Sequence, residues 1–465
     1  MNPAEDGLPI PQRYWSMLTL MTGLAMSCLD TAIVNVALPT IAKDLHADPG
    51  NSIWVINAYQ LAVLVSLLPF ASFGDIFGYR RVYRFGIVVY AGAAFISATA
   101  GSLEMLILGR ALQGLGAAGL MSVNTALVRY TYPRRQLGRG IAMTTLVVAT
   151  SSAAGPSIAA AILSFAPWPW LFAFNVPISI LTFVLSLRLL PVSPRSKHPF
   201  DWTSAGLSAV TFATLISGIN GLGHGQAILP VIGEFAAALV TGILLVRRQL
   251  SQPMPLLPVD LFRRPIFALS VTTSVCSFVA QGTAFVALPF YFHEVLGASA
   301  VTTGLYMTPW AVMTAIMAPI AGRLADRYPA GILAGIGLGL LSVGFISIGL
   351  MPEHPSTLGV LARVAMCGIG FGFFQSPNNR AIVSSAPRER SGGAGAIQGT
   401  SRLLGQSIGA AAVALVFGFV GAAGGSSTAI LVAAGFAAAG AAASLTRLVN
   451  GVKGAPAVAA LEPAE

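Results

Sequence analysis

Charge is what this chain has least of. Asp, Glu, Lys and Arg make up 9% of its 465 residues, against about 25% in soluble domains. A soluble protein of that length needs far more charge to cover its surface, so a water-soluble multidomain protein is excluded. Three cysteines are too few for a disulfide scaffold. Cys28, Cys276 and Cys367 stand far apart, and the five histidines are scattered, so metal-ligand spacing is missing. A phosphate-binding loop and a nucleophile elbow are missing too. The sequence therefore predicts no metal, no cofactor and no enzyme. One glycine pattern, Gly114-x-Gly116-x-x-Gly119, fits the dinucleotide fingerprint. It follows no strand and lies inside an apolar run, which makes it a helix-packing motif.

Apolar residues fill the space that charge leaves. They make up 55% of the chain, and the mean hydropathy is +0.77. A bilayer core of about 30 Å takes about 20 apolar residues per helix. Fourteen such runs can be marked, from Trp15–Pro39 and Ser52–Phe73 through Val82–Ala100, Gly138–Phe165, Trp202–Asn220 and Ile228–Val246 to Thr428–Leu448. They lack the ten-residue alternation of a membrane barrel. The expected fold class is an all-α integral membrane protein with 14 transmembrane helices.

The net charge of +10 is consistent with either nucleic-acid binding or membrane topology, and position decides. With the N-terminus inside, 22 of the 26 Lys and Arg residues fall on inner connections, and only Lys43 falls outside. Arg110, Arg363 and Arg402 fall within spans. That asymmetry follows the positive-inside rule. It predicts a multi-pass protein of a bacterial inner membrane with both termini cytoplasmic, and no nucleic-acid partner. The first run lacks a cleavage site and reads as a retained helix. Residues 451–465 are small and polar and read as a disordered tail.

The chain also repeats itself. The segment Leu106–Ala142 resembles Gly359–Ala396, matching Arg110 to Arg363, Asn124 to Asn378, and Pro133-Arg134 to Pro387-Arg388. PFASFGDIFG from Pro69 parallels PIAGRLADRY from Pro319, which brings Asp75 to Asp326. Both matches have an offset of about 250 residues. The predicted plan is 6+2+6: a six-helix half over 1–190, an inserted pair of helices over 191–260, and a second six-helix half over 261–450. Related halves around a central site are a recurrent transporter plan.

Few charges remain inside the spans, and an intramembrane charge marks an ion or substrate pathway. Asp30 lies nine residues before Pro39, roughly 14 Å deep. Arg110 lies roughly 10 Å from the start of its run at Leu103. The two are close enough in depth to pair, which makes them candidates for proton coupling. Arg363 has no acid in a matching helix. Glu234 lies in the inserted pair, with an outer-interface role favoured over a second proton site. Asp75 and Asp326, with Arg80 and Arg81, sit at inner helix ends, where charge pairs can gate the two halves. Asn35, Tyr59, Gln60, Gln113, Gln281, Tyr306, Trp310, Gln375 and Asn378 are candidates to line a substrate cavity, where apolar walls suit amphipathic ligands and aromatic faces suit organic cations.

The chain resembles the major facilitator superfamily, and within it the fourteen-helix drug:proton antiporters. LDTAIVNVALPTI from Leu29 to Ile41 is similar to the family's helix-1 motif. GDIFGYRR from Gly74 to Arg81 resembles the signature inner loop and keeps Asp75, Gly78 and Arg80, departing at Ala71 and Ile76. LILGRALQGLGAA resembles the motif with a buried arginine. In helix 5 the antiporter pattern reads SSAAGPSIAA, keeping Gly155 and Pro156 with Ser or Ala at three glycine positions. The resemblance implies a gating role for Gly155 and Pro156. It also implies a monomeric, proton-coupled exporter of small lipophilic, often cationic, compounds. A dedicated exporter of one metabolite or antibiotic and an uptake symporter stay open. Acids that some family members carry near helix 13 are replaced by Gln398, Arg402 and Gln406.

Overall fold

A computed structural model describes residues 7–133, 136–193, 195, 200–223, 226–252, 259–325, 327–352, 355–385 and 391–452. The described chain is helical. The first group of helices is α1 (Gln12–Asp44), α2 (Pro49–Ser52), α3 (Trp54–Phe77), α4 (Tyr79–Ala98), α5 (Leu103–Thr131), α6 (Leu137–Leu163), α7 (Trp170–Ala173) and α8 (Asn175–Leu189). A hairpin of α9 (Trp202–Gly223) and α10 (Ile228–Ser251) follows. The second group is α11 (Pro265–Phe290), α12 (Ala300–Leu324), α13 (Ala330–Gly349), α14 (Thr357–Ser385), α15 (Ser391–Val420) and α16 (Ala422–Val452). Side-chain caps start several of them. Ser102 Oγ accepts from Met105 N at 3.2 Å ahead of α5, and Ser299 Oγ does the same for Thr302 N ahead of α12.

Among the described residues twelve helical segments are long and apolar enough to cross a membrane. They answer twelve of the fourteen predicted runs. The runs Val82–Ala100 and Gly138–Phe165 form α4 and α6, and neither belongs to that set. The opening turns of α4 carry Arg80, Arg81 and Arg84, which lower its hydropathy. Helix α6 has 27 residues, of which the described stretch Ala154–Leu163 is apolar. Among the described residues twelve of the fourteen expected spans are thus met on length and composition.

The internal repeat is visible in the packing. Helix α4 packs on α5 as α13 packs on α14, and α3 packs on α5 as α12 packs on α14. Helix α1 packs on α6 as α11 packs on α15. Glycines set the register of these pairs. A Cβ on Gly86 would strike the backbone of Gly116 and Gly119, and one on Gly337 would strike Gly370 and Phe374. Gly114 sits against the Tyr59 carbonyl, and Gly368 against that of Trp310. The false dinucleotide pattern is therefore a contact surface: Gly114 faces α3, while Gly116 and Gly119 face α4.

One apolar core runs through both groups at the end that carries Lys43. It joins Leu38 and Ile41 of α1 to Phe290 of α11, Phe345 of α13 and Phe417 of α15. Two separate cores occupy the Arg-rich end. One holds Tyr83, Val123 and Leu127 of the first group together with Leu403 of α15. The other holds Phe267, Ile382 and Ile397 of the second group. The groups thus share one core at one end, while at the other each has its own, with Leu403 of α15 reaching into that of the first group.

The α9–α10 hairpin packs on α3 and α15, one helix from each group. Phe200 stacks on Phe73 at 4.5 Å between ring centroids and meets Trp202 edge-on at 4.5 Å. Asp201 opens α9, accepting from Ser204 N at 3.1 Å and from Arg248 Nη2 at 2.8 Å. Partial desolvation raises the Asp201 pKa, but hydrogen bonds from Arg248 and Ser204 outweigh it and hold the carboxyl at about 2. Its unfolded value is about 3.9. The folded value is the lower one, so this stabilisation is present above about pH 4 and is lost as pH falls through about 2. Arg248→Gln should speed hydrogen–deuterium exchange at the start of α9 at about pH 7. The wild-type protein should show the same opening equilibrium there from about pH 5 to about pH 8, once the intrinsic pH dependence of exchange is divided out.

Candidate functional site

Asp30 and Arg110 form a fully buried ion pair between α1 and α5. A second ion pair, Arg248–Asp201, is 2.8 Å long and half-exposed in the hairpin. Each charge of the buried pair has further partners. Gln113, one turn after Arg110, donates to Asp30 Oδ1 at 3.0 Å and accepts from Arg110 Nη1 at 2.8 Å. Asn175, the first residue of α8, donates to the same Asp30 oxygen at 3.2 Å. Arg110 Nε donates to the Val55 carbonyl at 3.2 Å. The guanidinium lies over the Tyr59 ring at 4.2 Å and near Phe172 at 5.7 Å. Tyr59 is itself fixed by its hydroxyl, which donates to the Ser27 carbonyl at 3.2 Å.

Burying two charges costs several kcal/mol per ion, and attraction offsets this only when the remaining donors and acceptors are filled. Here they are filled, by Gln113, Asn175, Val55 and the Tyr59 face. The arrangement sets a carboxylate against a guanidinium with no water-exposed route around either. Placing a proton on Asp30 removes the counter-charge of Arg110 and leaves a buried cation. A single proton can thus bias a two-state structure by several kcal/mol.

The cluster borders the junction of the two groups. Two residues beyond Asp30, Ala32 touches Gly155 of α6 so closely that a Cβ there would collide with it. The next residue, Pro156, presents its carbonyl to Gly304 of α12, where a Cβ would also collide. Ser157 Oγ and Thr308 Oγ1 are 2.9 Å apart across the same junction. Gly155 and Pro156, singled out by motif, therefore sit where α1, α6 and α12 meet.

The other predicted residues divide. Tyr59 and Gln113, expected in a substrate cavity, belong to the ion-pair cluster. Trp310 is buried in an aromatic core with Phe285 at 5.0 Å and Phe345 at 5.6 Å. Tyr306 meets Phe292 at 5.4 Å. Asn378 donates to the Ser270 carbonyl at 3.2 Å. Asn35 and Gln60 are buried with side-chain oxygens that accept no hydrogen bond among the described residues. Gln281 accepts from Gln406 at 3.4 Å, and Gln375 is half-buried. Asp75 accepts from Tyr79 in the next turn, with Arg80 half-buried and Arg81 exposed beside it. Asp326 lies outside the described residues. Glu234 accepts from Ser217 at 2.8 Å inside the hairpin.

Sequence reasoning misses Asn175 and Phe172. The signal for Asn175 is a lone amide inside the apolar run Trp168–Leu190. Asn175→Leu removes one hydrogen bond to a buried carboxylate, worth about 1.5–3 kcal/mol. We expect it to slow gradient-driven transport by roughly tenfold or more, read as the initial rate in proteoliposomes.

The repeat assigns a counterpart to Asp30. Gly155 against Ala32 is matched by Gly409 against Thr283, and Gly114 against Tyr59 by Gly368 against Trp310. The α1/α11 and α3/α12 partners are each separated by 251 positions. That offset places Gln281 where the first group has Asp30. Arg363, the match of Arg110, accordingly turns to its own helix and donates to the Gly359 carbonyl at 2.9 Å.

The sequence model of the Major Facilitator Superfamily matches residues 20–410. The chain belongs to the major facilitator superfamily. It is 54% identical over 413 residues to the uncharacterized transporter YebQ of Escherichia coli, covering 88% of this chain and 90% of that protein. It is 29% identical over 424 residues to the multidrug efflux pump LfrA of Mycolicibacterium smegmatis, covering 90% and 84%. It is 28% identical over 408 residues to the riboflavin transporter RibZ of Clostridioides difficile, covering 87% and 88%. In fold it is similar to a bacterial homolog of the human lysosomal transporter Spinster, with a TM-score of 0.70 at 14% identity, over 96% of this chain and 99% of that one. This superfamily member is thus a multi-pass membrane transporter, a class distinct from enzymes.

Proposed function

We propose that this superfamily member is a proton-coupled secondary transporter that exports lipophilic compounds across the bacterial inner membrane by alternating access. The observation that carries the proposal is the buried Asp30–Arg110 pair, two residues from the Ala32–Gly155 contact. A proton taken by Asp30 loosens Arg110 next to the junction that must open. Similarity to the multidrug efflux pump LfrA and to a tetracenomycin C resistance and export protein favours export.

The arginine distribution supports cytoplasmic termini, which makes the Lys43 end the outer one. With α4 and α6 also crossing, the chain has fourteen spans: residues 1–190, an inserted pair over 191–260, and residues 261–450. Asp75, Tyr79 and Arg80 then lie at the inner mouth as gating residues, and Gln60, Gln281 and Gln375 face the path. The test is proton release from the purified transporter in liposomes. Addition of a transported compound should release protons, and an absence of release with every compound that is transported would overturn proton coupling.

A further inference from the structure

The second group carries an intramembrane charge that the ion-pair cluster does not use. Arg402 lies on α15, 11 residues and roughly 17 Å from its start at Ser391, well inside the predicted hydrocarbon layer. It is half-buried. It lies close enough to Cys28 of α1, in the first group, to act on it electrostatically. The next residue, Leu403, packs into the first group's core. Among the described residues Arg402 has no ion pair and no hydrogen bond.

Among the described residues no acid is paired with it. Asp30 is taken by Arg110, Gln113 and Asn175. Glu234 is taken by Ser217, Asp201 by Arg248, and Asp75 by Tyr79. An arginine held in a membrane without a partner is costly, and such residues line substrate or ion pathways. One turn further on, Gln406 meets Gln281 through a long 3.4 Å contact, at the weak limit of a hydrogen bond and easily exchanged for a ligand. Arg402 and Gln406 are four residues apart and so share one face of α15, with Gln281 joined to that face through Gln406. Guanidinium is the side chain that matches a carboxylate through two parallel hydrogen bonds.

We infer that Arg402 is the substrate's charge-recognition residue, and that this transporter takes lipophilic carboxylates, as anions or zwitterions, in preference to cations. The inference rests on the proposed transport of lipophilic compounds and names their class. It departs from the cationic substrates that the family resemblance implies. The carboxylate docks on Arg402, its neutral polar groups meet Gln281 and Gln406, and its apolar body lies against the junction.

The experiment measures binding to the full chain in nanodiscs by fluorescence anisotropy. The probes are 1-pyrenebutyrate, its methyl ester and the matching pyrenebutyl-trimethylammonium cation. The carboxylate should bind at least about tenfold more tightly than the other two, the usual worth of a charged hydrogen bond. Arg402→Gln should remove that preference and leave ester binding within about twofold, and Arg402→Lys should restore part of it. Carboxylate binding no tighter than cation binding overturns the inference. So does an undetectable carboxylate, or an Arg402→Gln protein that keeps the preference or weakens all three probes alike. Binding is read without a gradient, so this outcome is independent of whether Asp30 couples transport to protons.

Discussion

Asp30→Asn should abolish gradient-driven transport, lowering the initial rate by roughly 100-fold or more. Asparagine has the shape of the aspartate and can still meet Gln113 and Asn175. It cannot take or release a proton. It also leaves Arg110 buried without a counter-charge, which costs about 3–5 kcal/mol. The double variant Asp30→Asn/Arg110→Gln removes that penalty, since replacing both members of a buried pair is often neutral. The single variant should therefore unfold at a lower temperature than wild type. The double should recover most of the loss yet remain uncoupled. Proteoliposomes with an imposed pH gradient, together with thermal unfolding in detergent, separate the two effects. Wild-type gradient-driven transport by Asp30→Asn would sink the mechanism.

A second large effect is expected at the junction of α6 and α12. The hydroxyls of Ser157 and Thr308 are 2.9 Å apart, which suits the Cβ separation of about 3.5–4.5 Å in a disulfide. In a chain with Cys28, Cys276 and Cys367 replaced by serine, Ser157→Cys/Thr308→Cys should cross-link on mild oxidation. Transport should stop when the bond forms and return on reduction, because the junction closed here must part in each cycle. Continued transport by the fully cross-linked protein would show that α6 and α12 stay together throughout. Each single cysteine variant should transport normally under the same oxidant.

The ion pair is legible in the sequence because a charge in an apolar run is rare and its depth follows from counting residues. Counting alone brings Asp30 and Arg110 to similar depths. Depth says nothing about which neighbour a side chain faces, so the sequence assigns Tyr59 and Gln113 to a substrate cavity although both serve the pair. That rotation is set by glycine–backbone contacts such as Gly114 on Tyr59, which depend on two helices at once. Asp75 illustrates the same limit. Its neighbours Arg80 and Arg81 suggest charge pairing, yet the turn at Gly78 brings Tyr79 to it first. Helix α4 falls outside the set of long apolar helices for a compositional reason, since the arginines that mark the inner side also dilute its hydropathy.

The glycine contacts bear on how such a molecule can move. Within each group, backbone rests on backbone at Gly86 with Gly116 and at Gly337 with Gly370, leaving no side-chain slack to bend. Each group is then a stiff arm, and motion collects at the junction between arms. Helix α1, with 33 residues, is about 50 Å long. Tilting an arm of that length by about 10° at one end swings the other by about 9 Å. A contact as small as Pro156 on Gly304 is in that sense a fulcrum, and a proton taken one helix away works at the short end of a long lever.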